Sequence, residues 1–303
     1  LDVRFFENRL GVDFALYKTS TKNQILSVNI PNTSGFGSRL INAGQIDNSG
    51  VEVAIKATPV KTNDFEWDLT FNYGKNNNKV VELSEEYNID RLGLGGARIV
   101  SVYAYAGGEY GEMHGKSFYR DQETGKILVD DEGYPLVNNT YTKIGSINPD
   151  WIGSVRNGLR YKNLFLNMLV KIKKGGDLVS LTDAHGTQMG TGARTLEGRE
   201  GDLVVDGIVG EIVDGEPVST GEPNTTPVNA ESYWANLGGS YGVAEAYLYD
   251  AGFVKLQEIS LGYSLPSKWF KNSSISSVRA SLIGRDLFFF YKDTPGTDPQ
   301  AAG

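Results

Sequence analysis

The chain has no cysteine, which excludes disulfide scaffolds, zinc ribbons and thiol nucleophiles. It has only two histidines, His114 and His185, far apart and each expected in a loop. A metal centre built on them needs further ligands at suitable spacing, and no such set stands out. No apolar run approaches the roughly 18 residues of a membrane-spanning helix. That leaves a membrane β-barrel open, because alternating strands give a weak hydropathy signal. Basic residues are outnumbered 29 to 37, which argues against a nucleic-acid partner.

What is abundant is glycine (37 of 303 residues) and aromatic side chains, 16 of them tyrosine. The apolar share is that of a folded protein. Glycine, tyrosine and frequent turn dipeptides together indicate an all-β chain.

Strict alternation recurs along the sequence. Leu10, Val12, Phe14 and Leu16 share one face, and so do Val51, Val53, Ile55 and Ala57. Trp67, Leu69, Phe71 and Tyr73 stand against Asp68, Thr70 and Asn72. Trp151, Val155, Leu159 and Tyr161 oppose Ser154, Arg156 and Arg160. Leu164, Leu166, Met168, Val170 and Ile172 oppose Asn163, Asn167, Lys171 and Lys173. Ile259, Leu261 and Tyr263 share a face, and Val278, Ala280 and Leu282 oppose Arg279 and Ser281. These are period-2 strands of about 9–11 residues. No stretch holds a 3.6 period; the best short-helix candidate is Ser84–Leu92.

The connections are of two kinds. Tyr161-Lys162-Asn163 and Pro59–Asp64 are tight, whereas residues 18–47, 84–150 and 174–250 read as long loops rich in Gly, Asp, Asn and Thr. Within them, Val204–Val209 reads as a small hairpin turning at Asp206-Gly207. Short turns alternating with long loops are the pattern of an outer-membrane barrel. Alternation fits two architectures. A soluble β-sandwich or adhesin-like binding module buries its apolar face; a wide barrel turns it to lipid. Strand length and the aromatics at strand ends (Trp67, Tyr73, Trp151, Tyr161, Tyr263, Trp269) favour the barrel. The plainer reading of those rings is that strands favour aromatics.

Specific segments carry a resemblance. Asn42–Glu52, and Phe65–Tyr73 followed by Asn76–Val80, resemble barrel segments of TonB-dependent outer-membrane transporters. Asn148-Pro149-Asp150-Trp151, Leu159–Leu164, Lys174-Gly175-Gly176-Asp177, Phe253–Pro266 and Val278–Leu287 resemble the SusC/RagA branch. The matches run in order through nearly the whole chain. The resemblance implies an antiparallel transmembrane β-barrel of 22 strands with a plugged lumen, long extracellular loops and short periplasmic turns. It implies the cell outer membrane of a Bacteroidetes-type Gram-negative cell. It also implies nutrient import of oligosaccharides or peptides, with a SusD-like surface lipoprotein as lid and TonB acting through the plug. Neither enzymatic activity nor a cofactor is implied.

The chain opens Leu1-Asp2-Val3 and closes Gln300-Ala301-Ala302-Gly303, like the interior of a longer protein. Residues 1–303 are therefore expected to be one partial barrel domain from the C-terminal half, without plug, amino-terminal extension or last strand.

Other motifs have plain readings. Gly115-Lys116-Ser117 lacks the upstream glycine of a phosphate loop, since Tyr110 holds that position, and reads as a loop turn. Gly93-Leu94-Gly95-Gly96 reads as a turn before a strand Arg98–Tyr105. The carboxylates of Asp121–Glu132 miss calcium-loop spacing. Lys126–Val129 and Tyr134–Val137 flank them as a solvated hairpin. No nucleophile elbow or paired histidine marks a hydrolase. Tyr233, Trp234 and Tyr241, near Tyr247 and Tyr249, are the candidate substrate or lid contacts, since loop aromatics stack on sugars or pack on proteins. Packing within the loop is the alternative. Arg156, Arg160, Lys171 and Arg279 are expected to face the lumen.

Overall fold

A computed structural model describes residues 1–29, 38–84, 89–271 and 274–300. Eight strands form one sheet: β1 (Asp2–Phe5), β2 (Leu10–Asn29), β3 (Ser38–Lys61), β4 (Phe65–Glu82), β5 (Trp151–Tyr161), β6 (Leu164–Lys174), β7 (Phe253–Ser264) and β8 (Arg279–Lys292). Each strand pairs antiparallel with its neighbour in the chain, so spatial order equals sequence order. This is an up-and-down meander, the topology of a barrel wall. The sheet is open and does not close on itself.

Register turns the alternation into continuous bands. Val12, Ile55, Phe71, Val155, Val170 and Leu256 are successive partners across β2 to β7. So are Phe14, Val53, Tyr73, Gly153, Ile172 and Val254. Val60, Trp67, Leu159, Leu166, Leu261 and Leu282 make a third apolar row. One residue out of phase, Asp13, Ala54, Asn72, Ser154, Lys171 and Lys255 form a polar row on the opposite face. A slip of one residue on any strand would mix the two bands.

Among the described residues nothing layers over the apolar face. Leu16, Leu261, Leu282 and Phe288 remain 47–78% exposed. A β-sandwich buries this face against a second sheet, so the sandwich alternative fails here. Aromatics edge the band on both sides. Phe65, Tyr161 and Tyr263 lie at the short-turn rim. Tyr73 and Trp151, with ring centroids 5.5 Å apart, lie at the other. Eight to ten residues separate the rims, at about 3.3 Å each and a tilt of about 40°, so the band is about 20–25 Å tall.

Polar pairs stitch the opposite face. Arg160 meets Glu66 at 2.8 Å and Arg285 meets Glu258 at 2.9 Å. Arg279 stacks over Phe165, and Asn72 donates to Ser154. The short turns are Phe6–Arg9, Thr62–Asp64 and Lys162-Asn163. The link from β7 to β8 carries the 3-10 turn Ser267–Phe270, on which Trp269 is exposed.

Several expectations need correction. Residues 18–29 and 38–47 are strand, not loop: β2 and β3 pair without interruption out to Asn29 and Ser38. Twenty residues at about 3.3 Å reach far beyond a membrane span, so the upper part can be polar on both faces and still pair. Ser84 and Ile89 form an isolated bridge and Arg91-Leu92 lies in a strand, so those residues of the expected helix are not helical. Residues 85–88 lie outside the described residues.

The described residues of the connections 83–150 and 175–252 are folded rather than loose. They hold a four-stranded sheet (Arg91–Ala97, Val100–Tyr105, Tyr110–Phe118, Val137–Ser146) and a three-stranded one (Ile127–Val129, Gly207–Val213, Glu216–Pro223). They also contain two short helices, α1 (Leu181–Gln188) and α2 (Ala230–Leu237). Each helix has a side-chain cap: Ser180 accepts from the Asp183 amide and Asn229 from the Ser232 amide. α1 has no apolar stripe, whereas α2 buries Ala230, Trp234 and Leu237 at i, i+4 and i+7; at eight residues each, packing holds them. Ile99, Val100, Met113 and Val129 from the first connection interlock with Leu203, Trp234, Leu237, Ala244 and Tyr247 from the second. Each large side chain fully buried in this way contributes about 1.5–3 kcal/mol. The two connections are therefore one cap with a common core. Glu245 clamps them, accepting the Phe118 amide at 2.7 Å and Arg120 at 2.6 Å.

The Asp206-Gly207 hairpin is not formed. Leu203–Val204 pairs with Pro227–Val228, and the chain turns instead at Asp214-Gly215, between Val213 and Glu216. Asp214 (φ 52°) and Gly215 (φ 87°) both take the left-handed conformation that such a two-residue turn requires. Lys126–Val129 and Tyr134–Val137 do flank a turn, with Leu136 donating to the Leu128 carbonyl. Its apolar side is not solvated: Leu128 and Val129 are buried. Gly115-Lys116-Ser117 lies within a strand, and so does Gly93–Gly96; the turn falls at Arg98-Ile99.

Candidate functional site

The cap meets the sheet at a recessed cavity of about 410 Å³. Five stretches distant in sequence converge there: Lys75–Asn78 of β4, Glu109 of the cap, Ser146–Asp150 before β5, Gly175–Asp177 after β6, and Asp250 before β7. Two segments that carried the family resemblance, Asn148-Pro149-Asp150 and Gly175-Gly176-Asp177, thus form facing walls.

Backbone chemistry explains the convergence. Gly175 (φ 73°) and Gly176 (φ 75°) are consecutive left-handed residues that turn the chain back at the end of β6. A Cβ on Gly175 would sit 2.6 Å from the Asp150 carboxylate. Asp177 then accepts the Ser146 amide at 2.8 Å, and Asp250 accepts the Gly252 amide at 2.6 Å. Asn148 ties the floor together, donating to the Tyr110 carbonyl at 2.8 Å and accepting from Asn78 at 3.0 Å. Ser146 donates to Glu109 at 2.8 Å.

The walls are therefore acceptor-rich. Glu109, Asp150, Asp177 and Asp250 contribute carboxylates; Lys75 and the Lys174–Asp250 pair at 3.4 Å contribute the opposing charge. Burial raises the Asp177 carboxyl above its ordinary range, and the charges of Asp250 and Asp150 push the same way. Such a wall suits ligands rich in hydroxyl or amine donors. On the polar face of the sheet, below this cavity, lies an open trough of about 700 Å³ touching Asp13, Glu52, Asn72, Ser154 and Lys171.

The aromatic candidates are placed apart. Trp234 is 9% exposed in the cap core, and its indole donates to the Glu197 carbonyl at 3.1 Å. Its edge borders a separate hollow of about 490 Å³ with Asn229, Asp202 and Arg199. Tyr233 is half-buried, stacked edge-on to Trp234 at 4.7 Å, and lines an apolar pocket of about 190 Å³ with Phe118, Tyr134, Val137 and Val243. Tyr241 is 89% exposed, with its carbonyl held by Lys116 at 3.1 Å. Of the three, only Tyr241 presents a whole ring to solvent.

Tyr247 is buried and Tyr249 half-buried beside Arg194 and Asp183, which pair at 2.9 Å. Burial pushes the Tyr247 hydroxyl up to about 12 and raises Tyr249 as well, so both stay neutral. His114 and His185 are not in loops. His114 is buried on a strand with its ring against Tyr105 and its Nε2 3.3 Å from Glu112; His185 lies on α1. Among the described residues no three His, Asp or Glu side chains are grouped as metal ligands. The cavity itself is not signalled as a unit by the sequence, because five distant stretches build it. Its one local signal is the Gly-Gly-Asp run at a strand end.

Comparison with known proteins decides the family. The family model described as "TonB dependent receptor-like, beta-barrel" matches residues 1–280. The chain belongs to this family. TonB-dependent receptor P3 of Formosa agariphila is 28% identical over 99% of the chain and 30% of its own length. TonB-dependent receptor SusC of Bacteroides thetaiotaomicron is 24% identical over 89% of the chain and 26% of its length. A structure titled as the RagAB peptide transporter covers 100% of the chain and 32% of its own, with a TM-score of 0.65 and 20% identity; it shows the shared fold. The chain spans between a quarter and a third of the length of these relatives. Membership of a barrel family accounts for a sheet with one uncovered apolar face and one polar face. The family is one of receptors and transporters rather than enzymes.

Proposed function

We propose that this chain supplies part of the barrel wall and the extracellular cap of a SusC/RagA-type importer in the cell outer membrane. The carrying observation is the pairing of an uncovered apolar face with a polar inner face that leads to a recessed, acceptor-lined cavity. The reading assigns uptake of oligosaccharides or peptides to the whole protein. A SusD-like surface lipoprotein closes over the cap, and TonB acts through the plug. Capture of substrate under the lid shifts the plug between populations, and TonB then remodels it. No bond is made or broken in the substrate.

Glu109, Asp150, Asp177 and Asp250 would receive hydroxyl or amine groups at the cavity mouth. Tyr241 would stack on the substrate or on the lid, and Tyr233 would offer the apolar pocket at its side. The test is growth of a strain carrying the full-length protein on a defined oligosaccharide or peptide as sole nutrient. Asp150→Asn with Asp250→Asn is expected to slow uptake while the protein still reaches the outer membrane. Unchanged uptake on every nutrient that requires the wild-type protein contradicts the assignment of the cavity.

A further inference from the structure

We propose that the hairpin Gly207–Pro223 is the docking tip by which the cap engages a basic-rimmed apolar groove on the lid lipoprotein. The inference rests on the importer reading above and names the contact between the two proteins.

The hairpin has a fixed base and a bare tip. Its base is buried: Gly207, Ile208 and Gly210 pack inside the cap, and Gly207–Val209 pairs in parallel with Ile127–Val129. Thr220 donates to the Val209 carbonyl at 2.8 Å. From Glu211 onward the hairpin leaves the cap, and residues 211–216 are all exposed. The tip still carries apolar side chains: Ile212, Val213 and Val218 are 42–45% exposed. Cross-strand pairing sets Val213 opposite Glu216, Val218 opposite Glu211 and Ile212 opposite Pro217. Both faces therefore offer apolar groups beside a carboxylate or a proline.

Charge says what covers the tip. Residues 196–231 contain nine carboxylates and one cation, Arg199. Their net charge of −8 equals that of the entire chain, so the remainder is balanced. Arg199 is engaged with the Gly190 carbonyl at 2.7 Å. Glu211, Asp214, Glu216 and Glu222 form no ion pair among the described residues; the one pair in this stretch joins Asp206 to Lys126. Unneutralised carboxylates around an apolar tip select a partner with an apolar floor and a Lys/Arg rim, and they repel an anionic lipid surface. Strand addition is disfavoured, because Pro217, Pro223 and the left-handed Gly221 (φ 78°) spoil the outer edge. Docking then uses the faces of the tip. A hairpin fixed at its base loses little entropy on binding, and a few buried side chains can dominate the affinity.

The experiment uses the full-length protein in detergent and a SusD-like lipoprotein from the same organism, with the dissociation constant measured at low and high salt. One variant is Ile212→Ser with Val218→Ser. A second is Glu211→Gln, Asp214→Asn, Glu216→Gln and Glu222→Gln, which leaves the apolar tip intact. The first is expected to weaken binding about tenfold at both salts. The second is expected to weaken it at low salt and to remove most of its salt dependence. Wild-type binding that neither variant changes overturns the docking tip and leaves the importer reading standing. No binding by the wild type overturns the lid reading and the tip together.

Discussion

The Ser146 amide donates to the Asp177 carboxylate at 2.8 Å, joining the strand end that precedes β5 to the strand that follows β6. This bond fixes one wall of the cavity beneath the cap. It also holds a carboxyl group whose ionisation is opposed by burial and by Asp250 and Asp150.

That opposition sets a direction for pH dependence. The folded Asp177 binds its proton more tightly than the unfolded chain does. Its favourable contribution is therefore complete below the ordinary carboxylate range and is lost as pH rises through the raised folded value. Asp177→Asn keeps an acceptor for Ser146 and removes the charge. The variant should gain stability relative to wild type as pH increases from about 4 to 7. Thermal unfolding of the full-length protein across that range checks it; a difference that does not vary with pH refutes it.

Gly175 admits no Cβ. Its φ of 73° strains any L side chain, and the added atom would press on Asp150 at 2.6 Å. Gly175→Ala should cost about 1–3 kcal/mol and displace the acceptor wall. The expected result is slower uptake with normal delivery to the membrane, measured by transport assay and surface labelling.

Glu245 takes the Phe118 amide and the Arg120 guanidinium together. Glu245→Ala leaves both without their acceptor and should cost about 1–3 kcal/mol. Because the bond links the two halves of the cap, limited proteolysis should cut the cap sooner while the barrel stays intact.

Met168 stands in the middle of the apolar run on β6, paired with Asn157 and Ile259, on the face proposed to meet lipid. Met168→Arg should destabilise the full-length barrel by about 2–4 kcal/mol near the bilayer midplane. Lys171→Arg, on the lumen face, should be close to neutral. Equilibrium unfolding from lipid vesicles compares the two.

The wall was legible because two solvents act on it. Runs such as Trp67–Tyr73 and Leu164–Ile172 must alternate when lipid lies on one side and water on the other. Above the membrane that constraint lapses. Lys18, Thr19, Ser20, Thr21 and Lys22 look like loop, yet backbone pairing carries β2 on through them. The cap was hidden for a different reason: its core joins Val129 to Trp234, and no local pattern reports contacts so distant in sequence. Identical dipeptides also serve different ends. Gly207 follows an aspartate as Gly215 does, but a Cβ on Gly207 would meet the Ile127 carbonyl at 2.8 Å, so that glycine serves strand packing. Sequence alone cannot rank the loop aromatics Tyr233, Trp234 and Tyr241; burial separates Trp234 in the core from Tyr241 on the surface.

The central claim is that one face of β6 meets lipid and the other meets the lumen. These 303 residues contain no cysteine, so single labelling sites can be introduced in turn from Leu164 to Ile172 in the full-length protein once any cysteine elsewhere in it is replaced by serine. Spin labels at these positions, in the protein reconstituted in bilayers, are read with a lipid-soluble and a water-soluble relaxation agent. The account predicts an alternation of period two, with Leu164, Leu166, Met168, Val170 and Ile172 accessible from lipid and Phe165, Asn167, Leu169 and Lys171 shielded from it. Uniform accessibility to the water-soluble agent, with no alternation, contradicts it.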